Sequence, residues 1–251
     1  MGPVLFADFA DDLSRRVSRL SPMRVLETAA GTGILTRRLR DALPAAARLT
    51  ATDLNPPMLA TARAKFRAGE AVEFQPADAA ALPFDDGGFD AVVCQFGIMF
   101  FPDKQKSHLE AHRVLAPGGR YLFSVWDAHR HNAFGRLAHD VVTGLFPVDP
   151  PQFYRVPFSY HRIDPIKDAL ADAGFVDLRV AVLNRIKEVP DISDFARAFV
   201  YGNPAIDQIT ARAGVEPAAV VSALDEALRR ECGSAPMRLS LQAIVFEARR
   251  P

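Results

Sequence analysis

The chain has 251 residues, 49% of them hydrophobic, enough to bury one large core, and a single α/β domain over 1–251 with an insertion suits that length better than two independent domains. Thirty basic residues balance thirty acidic ones, which excludes the overall positive field that draws in nucleic acid or anionic lipid. The two cysteines, Cys94 and Cys232, lie in no metal-type spacing, and no apolar run approaches the ~18 residues that span a bilayer, so neither a disulfide framework, a zinc site nor a membrane segment is expected.

The stretch from Met1 to Asp12 carries acids rather than the basic start of a secretion signal, and a reducing, cytoplasmic setting is the expectation. From Met23 to Trp126, short β-rich runs alternate with amphipathic stretches, the pattern of a parallel sheet covered by helices. Strand one is Arg24 to Glu27. The turn Thr28-Ala29-Ala30-Gly31-Thr32-Gly33 follows, then a helix with Ile34, Leu35, Leu39, Ala42 and Leu43 on one face. Strand two, Arg48 to Thr52, delivers Asp53; Asn55 stands as the N-cap of a helix that opens on Pro56 or Pro57 and runs to about Ala68, with Gly69 ending it.

Strand three, Ala71 to Gln75, leads into Pro76-Ala77-Asp78 and a turn-forming loop through Asp85-Asp86-Gly87-Gly88, before strand four, Phe89 to Gln95. A helix over Asp103 to Leu115 ends at Pro117-Gly118-Gly119, and strand five, Arg120 to Trp126, is apolar enough for a sheet centre. Asp127 to about 163 then reads as a covering insertion rich in rings: Phe134, Phe146, Phe153, Tyr154, Phe158 and Tyr160. Such rings either line a largely apolar ligand pocket or form the cap's own core. A helix over Asp164 to Ala173, a strand over Phe175 to Val189, a helical insertion over about 190–235 interrupted at Gly202-Asn203-Pro204 and Gly214, and a last strand over Met237 to Ala248 complete seven strands.

A glycine turn between a strand and a helix offers backbone N–H groups and a positive dipole end to a ligand. The nicotinamide fingerprint G-x-G-x-x-G fails here, because the sixth position counted from Gly31 is Thr36. What remains is acid-x-small-x-Gly-x-Gly with Glu27 at the strand end. Asp53 stands at the end of strand two, a carboxylate with acceptor capacity on both oxygens. Ala77-Asp78-Ala79 with Leu82-Pro83-Phe84, the run Phe96 to Asp103, and Leu115-Ala116-Pro117-Gly118-Gly119 follow in order.

Taken together these blocks resemble the class I S-adenosylmethionine (SAM)-dependent methyltransferases, and within them the group that includes ubiquinone and menaquinone biosynthesis methyltransferases, over about Val4 to Trp126. The resemblance implies a doubly wound, seven-stranded, mostly parallel sheet of Rossmann-like type with a helical and loop cap insertion, its cofactor half over about 23–126. It implies SAM as cofactor and S-adenosylhomocysteine as product, with Glu27, Ala29, Gly31 and Gly33 around the methionine portion and Asp53 with Leu54 on the ribose. Met58, Ala77, Asp78 and Ala79 would frame the adenine, and Gln95 would lie near the methionine carboxylate or the acceptor. Ala29 stands where most relatives carry a glycine; its methyl is tolerated if the residue needs no positive φ, and narrows the cofactor side of the turn.

Many relatives carry a further aromatic-bearing segment ahead of the equivalent of Gly2-Pro3-Val4, so the chain is read as an N-terminally shortened product or one whose start codon is assigned too far downstream. The implied partner is a small-molecule methyl acceptor, with no nucleic acid and no stable membrane insertion; oligomeric state and acceptor identity are open. A dedicated base is optional for methyl transfer, and the candidates are His129, His131, His161, Tyr154, Tyr160 and Tyr201. His129, His131, His139 and His161 are joined by no carboxylate or cysteine spacing, which argues against a metal site. A protein that binds SAM without methylating is the alternative, since fold and cofactor site would be identical.

Overall fold

The computed structural model describes residues 2–251 and begins with a helix, α1 (Gly2–Ser18), for which the pattern reading above made no provision. Its cause is visible in the sequence: Leu5, Phe9, Leu13 and Val17 recur at four-residue spacing, and each is buried. The cofactor half then unfolds as anticipated through β1 (Arg24–Glu27), α2 (Ile34–Ala42), β2 (Arg48–Asp53), α3 (Pro56–Arg63), β3 (Val72–Pro76) and β4 (Phe89–Gln95). After it come α4 (Lys104–Val114), β5 (Leu115–Trp126), α5 (Ala133–Leu145), α6 (Ile163–Asp172), β6 (Val176–Val189), α7 (Ile192–Tyr201), α8 (Ala205–Thr210), α9 (Pro217–Cys232) and β7 (Met237–Arg249).

One seven-stranded sheet is ordered β3-β2-β1-β4-β5-β7-β6. β1 pairs in parallel with β2 and β4, β2 with β3, and β4 with β5. β7 runs the other way: Gly118 N donates to Arg250 O and Arg250 N to Gly119 O at one end, while Asp127 N donates to Gln242 O at the other. Ala91, Val92, Val93 and Cys94 of β4 are fully buried, as the continuous apolar run of a central parallel strand requires. The strand order reverses between β1 and β4, and in open α/β sheets ligands bind beyond the carboxyl ends of the strands at such a switch point.

Two boundaries differ from expectation by several residues. α3 stops at Arg63 rather than near Ala68, because the chain tightens: Lys65 N and Phe66 N bond to the Ala62 and Arg63 carbonyls, Phe66 turns under the Arg37 guanidinium at 4.4 Å, and Arg67 N donates to Glu70. β5 begins at Leu115 rather than Arg120, since Leu115 already pairs with Phe89 and a register irregularity between Phe89 and Ala91 absorbs the Pro-Gly-Gly turn. Asn55 does hold the N-cap position of α3, but its side chain makes no capping bond.

Chain contacts group into two compact units. One holds Phe6–Val125, His161–Val182 and the chain from Ala243 onward; the other holds the chain up to Leu5, Trp126–Tyr160 and Leu183–Gln242. In the second unit, Phe134 meets Trp126, Phe158 and Phe199 at ring separations of 5.5, 5.6 and 5.5 Å, and Tyr154 stacks on Phe199 at 5.2 Å. The rings of the insertion therefore build that unit's own core, the second of the two readings open from sequence. Asn132, wholly buried, ties this unit's strand segments: its amide donates to the Asp127 and Gln242 carbonyls, and its oxygen accepts from Gln242 N, each at 3.0 Å.

Candidate cofactor site

The turn after β1 is laced to both neighbouring strands. Thr28 N donates to Val93 O of β4 and Ala30 N to Thr52 O of β2, both at 2.9 Å. Gly31 N then donates to Asp53 Oδ2 at 2.8 Å, while Asp53 Oδ1 accepts from Asn55 N at 2.9 Å. Two expected site residues from different strands are thus joined directly. Each carboxylate oxygen of Asp53 keeps a lone pair beyond these bonds, so the group still has acceptor capacity for a diol. A β-carbon built on Gly31, at φ +56°, would meet nothing within 4 Å, so the turn is open on that side.

Glu27 lies beneath the turn and is 1% exposed. Burial pushes its pKa up to about 8; Thr36 opposes the rise and the nearby Asp53 carboxylate adds to it. Its Oε2 has no hydrogen-bond partner among the described residues. A buried carboxyl with an unmet oxygen is costly unless a donor or cation arrives, and the methionine end of SAM carries an ammonium group. The residues present therefore fit the cofactor that the sequence implies.

Ala29 corrects the sequence reading in two ways. Its φ is +52°, so it does occupy the left-handed region that disfavours a side chain, and its methyl packs toward Gly97 rather than simply narrowing the turn. A β-carbon on Gly97 would stand 2.4 Å from that methyl, closer than atoms approach. Gly33 serves helix packing: at φ +79° it precedes α2, and a β-carbon there would fall 2.8 Å from the Ala62 methyl of α3.

The residues expected around adenine gather at the adjoining ends of β2 and β3, where Asp53 and Pro76 are register partners. Ala77 N donates to Asp53 O at 3.2 Å. Asp78 is exposed, and its Oδ1 accepts from Ala80 N at 2.8 Å. Leu54 and Met58, 74% and 39% exposed, present apolar surface beside them. Gln95, half-buried at the end of β4, donates from Nε2 to Phe6 O of α1 at 3.0 Å, a partnership that the sequence did not announce.

The base candidates sit in different settings. Tyr154 is buried and donates to Phe199 O, and burial raises its phenol; burial pushes Tyr160 up to about 12, so neither ionises near neutral pH. His129 donates from Nε2 to Tyr154 O at 2.9 Å and burial lowers its pKa. His131 accepts from Arg130 Nε, Tyr201 is exposed, and His161 is half-buried. Among the described residues no group of three or more His, Cys, Asp or Glu could hold a metal ion, and no helix is long and apolar enough to cross a membrane.

Residues 25–119 match the family model described as a methyltransferase domain. A demethylmenaquinone methyltransferase of Thermus thermophilus is 47% identical over 116 residues, which cover 46% of this chain and 52% of the relative. The chain spans about half the length of the curated relatives it matches. Among solved structures, the BH2331 protein of Bacillus halodurans C-125 superposes with a TM-score of 0.63 at 22% identity, covering 96% of this chain and 98% of that one. The phosphoethanolamine N-methyltransferase 2 of Haemonchus contortus, solved with phosphomonomethylethanolamine and S-adenosylhomocysteine, gives 0.59 at 18% identity over 97% of this chain and 52% of that one.

Proposed function

We propose that this chain, whose residues 25–119 form a class I SAM-dependent methyltransferase domain, transfers the methyl group of SAM to a small, largely apolar or ring-bearing acceptor of quinol type. The observation that carries the reading is the bond from Gly31 N to Asp53 Oδ2, which brings the glycine turn and the acid of β2 together above the buried, half-satisfied carboxyl of Glu27. The name of the Thermus thermophilus relative supports the acceptor class.

When bound, SAM supplies an electrophilic methyl on a sulfonium, so the protein's work is alignment and exclusion of water. Asp53 would accept from the ribose diol, its orientation fixed by the bonds from Gly31 N and Asn55 N. Glu27 would answer the positive methionine end, whose charge would favour its ionised form. Leu54 would stand with Asp53 at the ribose, and Met58, Ala77, Asp78 and Ala79 would frame the adenine. Gln95 would lie near the methionine carboxylate or the acceptor, its amide already oriented by its bond to Phe6 O of α1. We place the reaction in the cytoplasm, on a small molecule rather than a nucleic acid, with the cap and helical insertions as parts of one catalytic domain.

The test is consumption of cofactor. Incubated with SAM and a panel of demethylated naphthoquinols and benzoquinols, the protein is expected to release S-adenosylhomocysteine only when an acceptor is present. Tight SAM binding with no turnover on any quinol would remove the acceptor class and favour a protein that binds SAM without methylating.

A further inference from the structure

The three residues that end β4 and begin the following turn each contact a different part of the surrounding site. Gln95 Nε2 holds the backbone of α1 at Phe6 O, 3.0 Å away. Phe96 has its ring between Phe6 and Phe9 of α1, at 5.6 and 5.5 Å, and takes φ +53°, a conformation unusual for a bulky side chain. Gly97 is held bare by the Ala29 methyl of the glycine turn. A backbone kept in a sparsely populated region persists only where its surroundings over-determine it, and here they do so from both sides.

We infer that Gln95-Phe96-Gly97 couples the glycine turn to the Phe6–Ser18 part of α1, with Gln95 as the positioning residue that makes α1 respond to cofactor occupancy. The inference rests on the cofactor reading above for the identity of the ligand. A ligand that fixes the turn at Ala29 and Gly31 bears on Gly97, because the Ala29 methyl fills the space a side chain at Gly97 would take. Restricting Gly97 fixes Phe96 and Gln95, and with them both the ring contacts and the backbone bond that hold α1. Coupling of this kind is reciprocal, so loosening α1 weakens the ligand by the same factor.

The experiment is amide hydrogen exchange on the full chain, with and without S-adenosylhomocysteine, in wild type, Gln95→Leu and Gln95→Glu. The Glu variant keeps the size of the side chain and removes the donor. In wild type the ligand is expected to slow exchange in both 29–36 and 6–18. In both variants protection of 29–36 is expected to persist, the ligand's effect on 6–18 to vanish, and affinity to fall roughly fivefold, as loss of one hydrogen bond implies. Ligand protection of 29–36 in wild type with 6–18 unchanged would overturn the coupling and leave the cofactor reading standing. Wild-type behaviour of Gln95→Glu would equally overturn the role of the bond, and protection of neither segment in wild type would overturn both readings together.

Discussion

The methyl of Ala29 and the bare α-carbon of Gly97 are complementary: a β-carbon on Gly97 would stand 2.4 Å from the β-carbon of Ala29. One residue carries a side chain where the backbone disfavours it, at φ +52°, and the other lacks one where φ is an ordinary −94°. Gly97→Ala is therefore expected to destabilise the protein by about 1–3 kcal/mol through overpacking. Ala29→Gly should relieve about 1 kcal/mol of left-handed strain. Urea unfolding of the double variant should recover part of the Gly97→Ala loss, the rest remaining because a β-carbon on Gly97 would also stand 2.9 Å from Cys94 Sγ; strictly additive effects would show that Ala29 and Gly97 do not share one space.

Asp53 is bonded to the glycine turn through Gly31 N, and on the proposed reading its replacement should be felt in cofactor binding. Asp53→Ala is expected to weaken S-adenosylhomocysteine by roughly 1.5–3 kcal/mol for each charged hydrogen bond lost. Asp53→Asn, which keeps one acceptor oxygen, should lose less. Unchanged affinity in the alanine variant, measured by titration calorimetry, would take Asp53 out of the site.

Glu27 sets a pH dependence with a definite sign. Burial raises its pKa from an ordinary 4.5 to about 8, so the folded protein without ligand holds a proton that the unfolded chain has already released. Stability from this group is fully present below pH 4.5 and is lost as pH rises toward 8; Glu27→Gln should flatten that slope in thermal melts. A cationic ligand favours the carboxylate, so SAM binding below pH 8 should expel a proton. Calorimetry in buffers of different ionisation enthalpy counts it, and an enthalpy independent of buffer at pH 7 would show that Glu27 is already ionised or remote from the ligand.

Two glycines of α5 give an internal control on the ring core. A β-carbon on Gly135 would meet the Phe158 ring at 2.2 Å, whereas one on Gly144 meets nothing within 4 Å. Gly135→Ala should cost about 1–3 kcal/mol and Gly144→Ala should gain up to about 1 kcal/mol from helix propensity. Equal effects of the two in denaturant titrations would mean that Phe158 does not pack against α5 as described.

Much of the cofactor half was legible because each short apolar run there ends on a residue with a chemical task. Glu27 and Asp53 stand at strand ends in the sequence, and the fold needs only parallel pairing to bring them together. What sequence could not give is which way a backbone turns: nothing in an alanine announces φ +52°, so the partnership of Ala29 with Gly97 was invisible. Phe6 and Gln95 are 89 positions apart, and no local pattern links an amide to a distant carbonyl. The rings from Phe134 to Phe158 were ambiguous for a different reason, since hydrophobicity says that a side chain is buried and not against what. α1 is the exception, because its four-residue stripe was there to be read.

The central claim is that the turn at Gly31 and the carboxylate of Asp53 receive SAM, and calorimetric titration of the purified protein with SAM, S-adenosylhomocysteine and NAD in parallel tests it most directly. Micromolar binding of both sulfur compounds and none of NAD is expected. Binding of NAD alone would contradict it, and the methyltransferase reading of the site would have to be withdrawn.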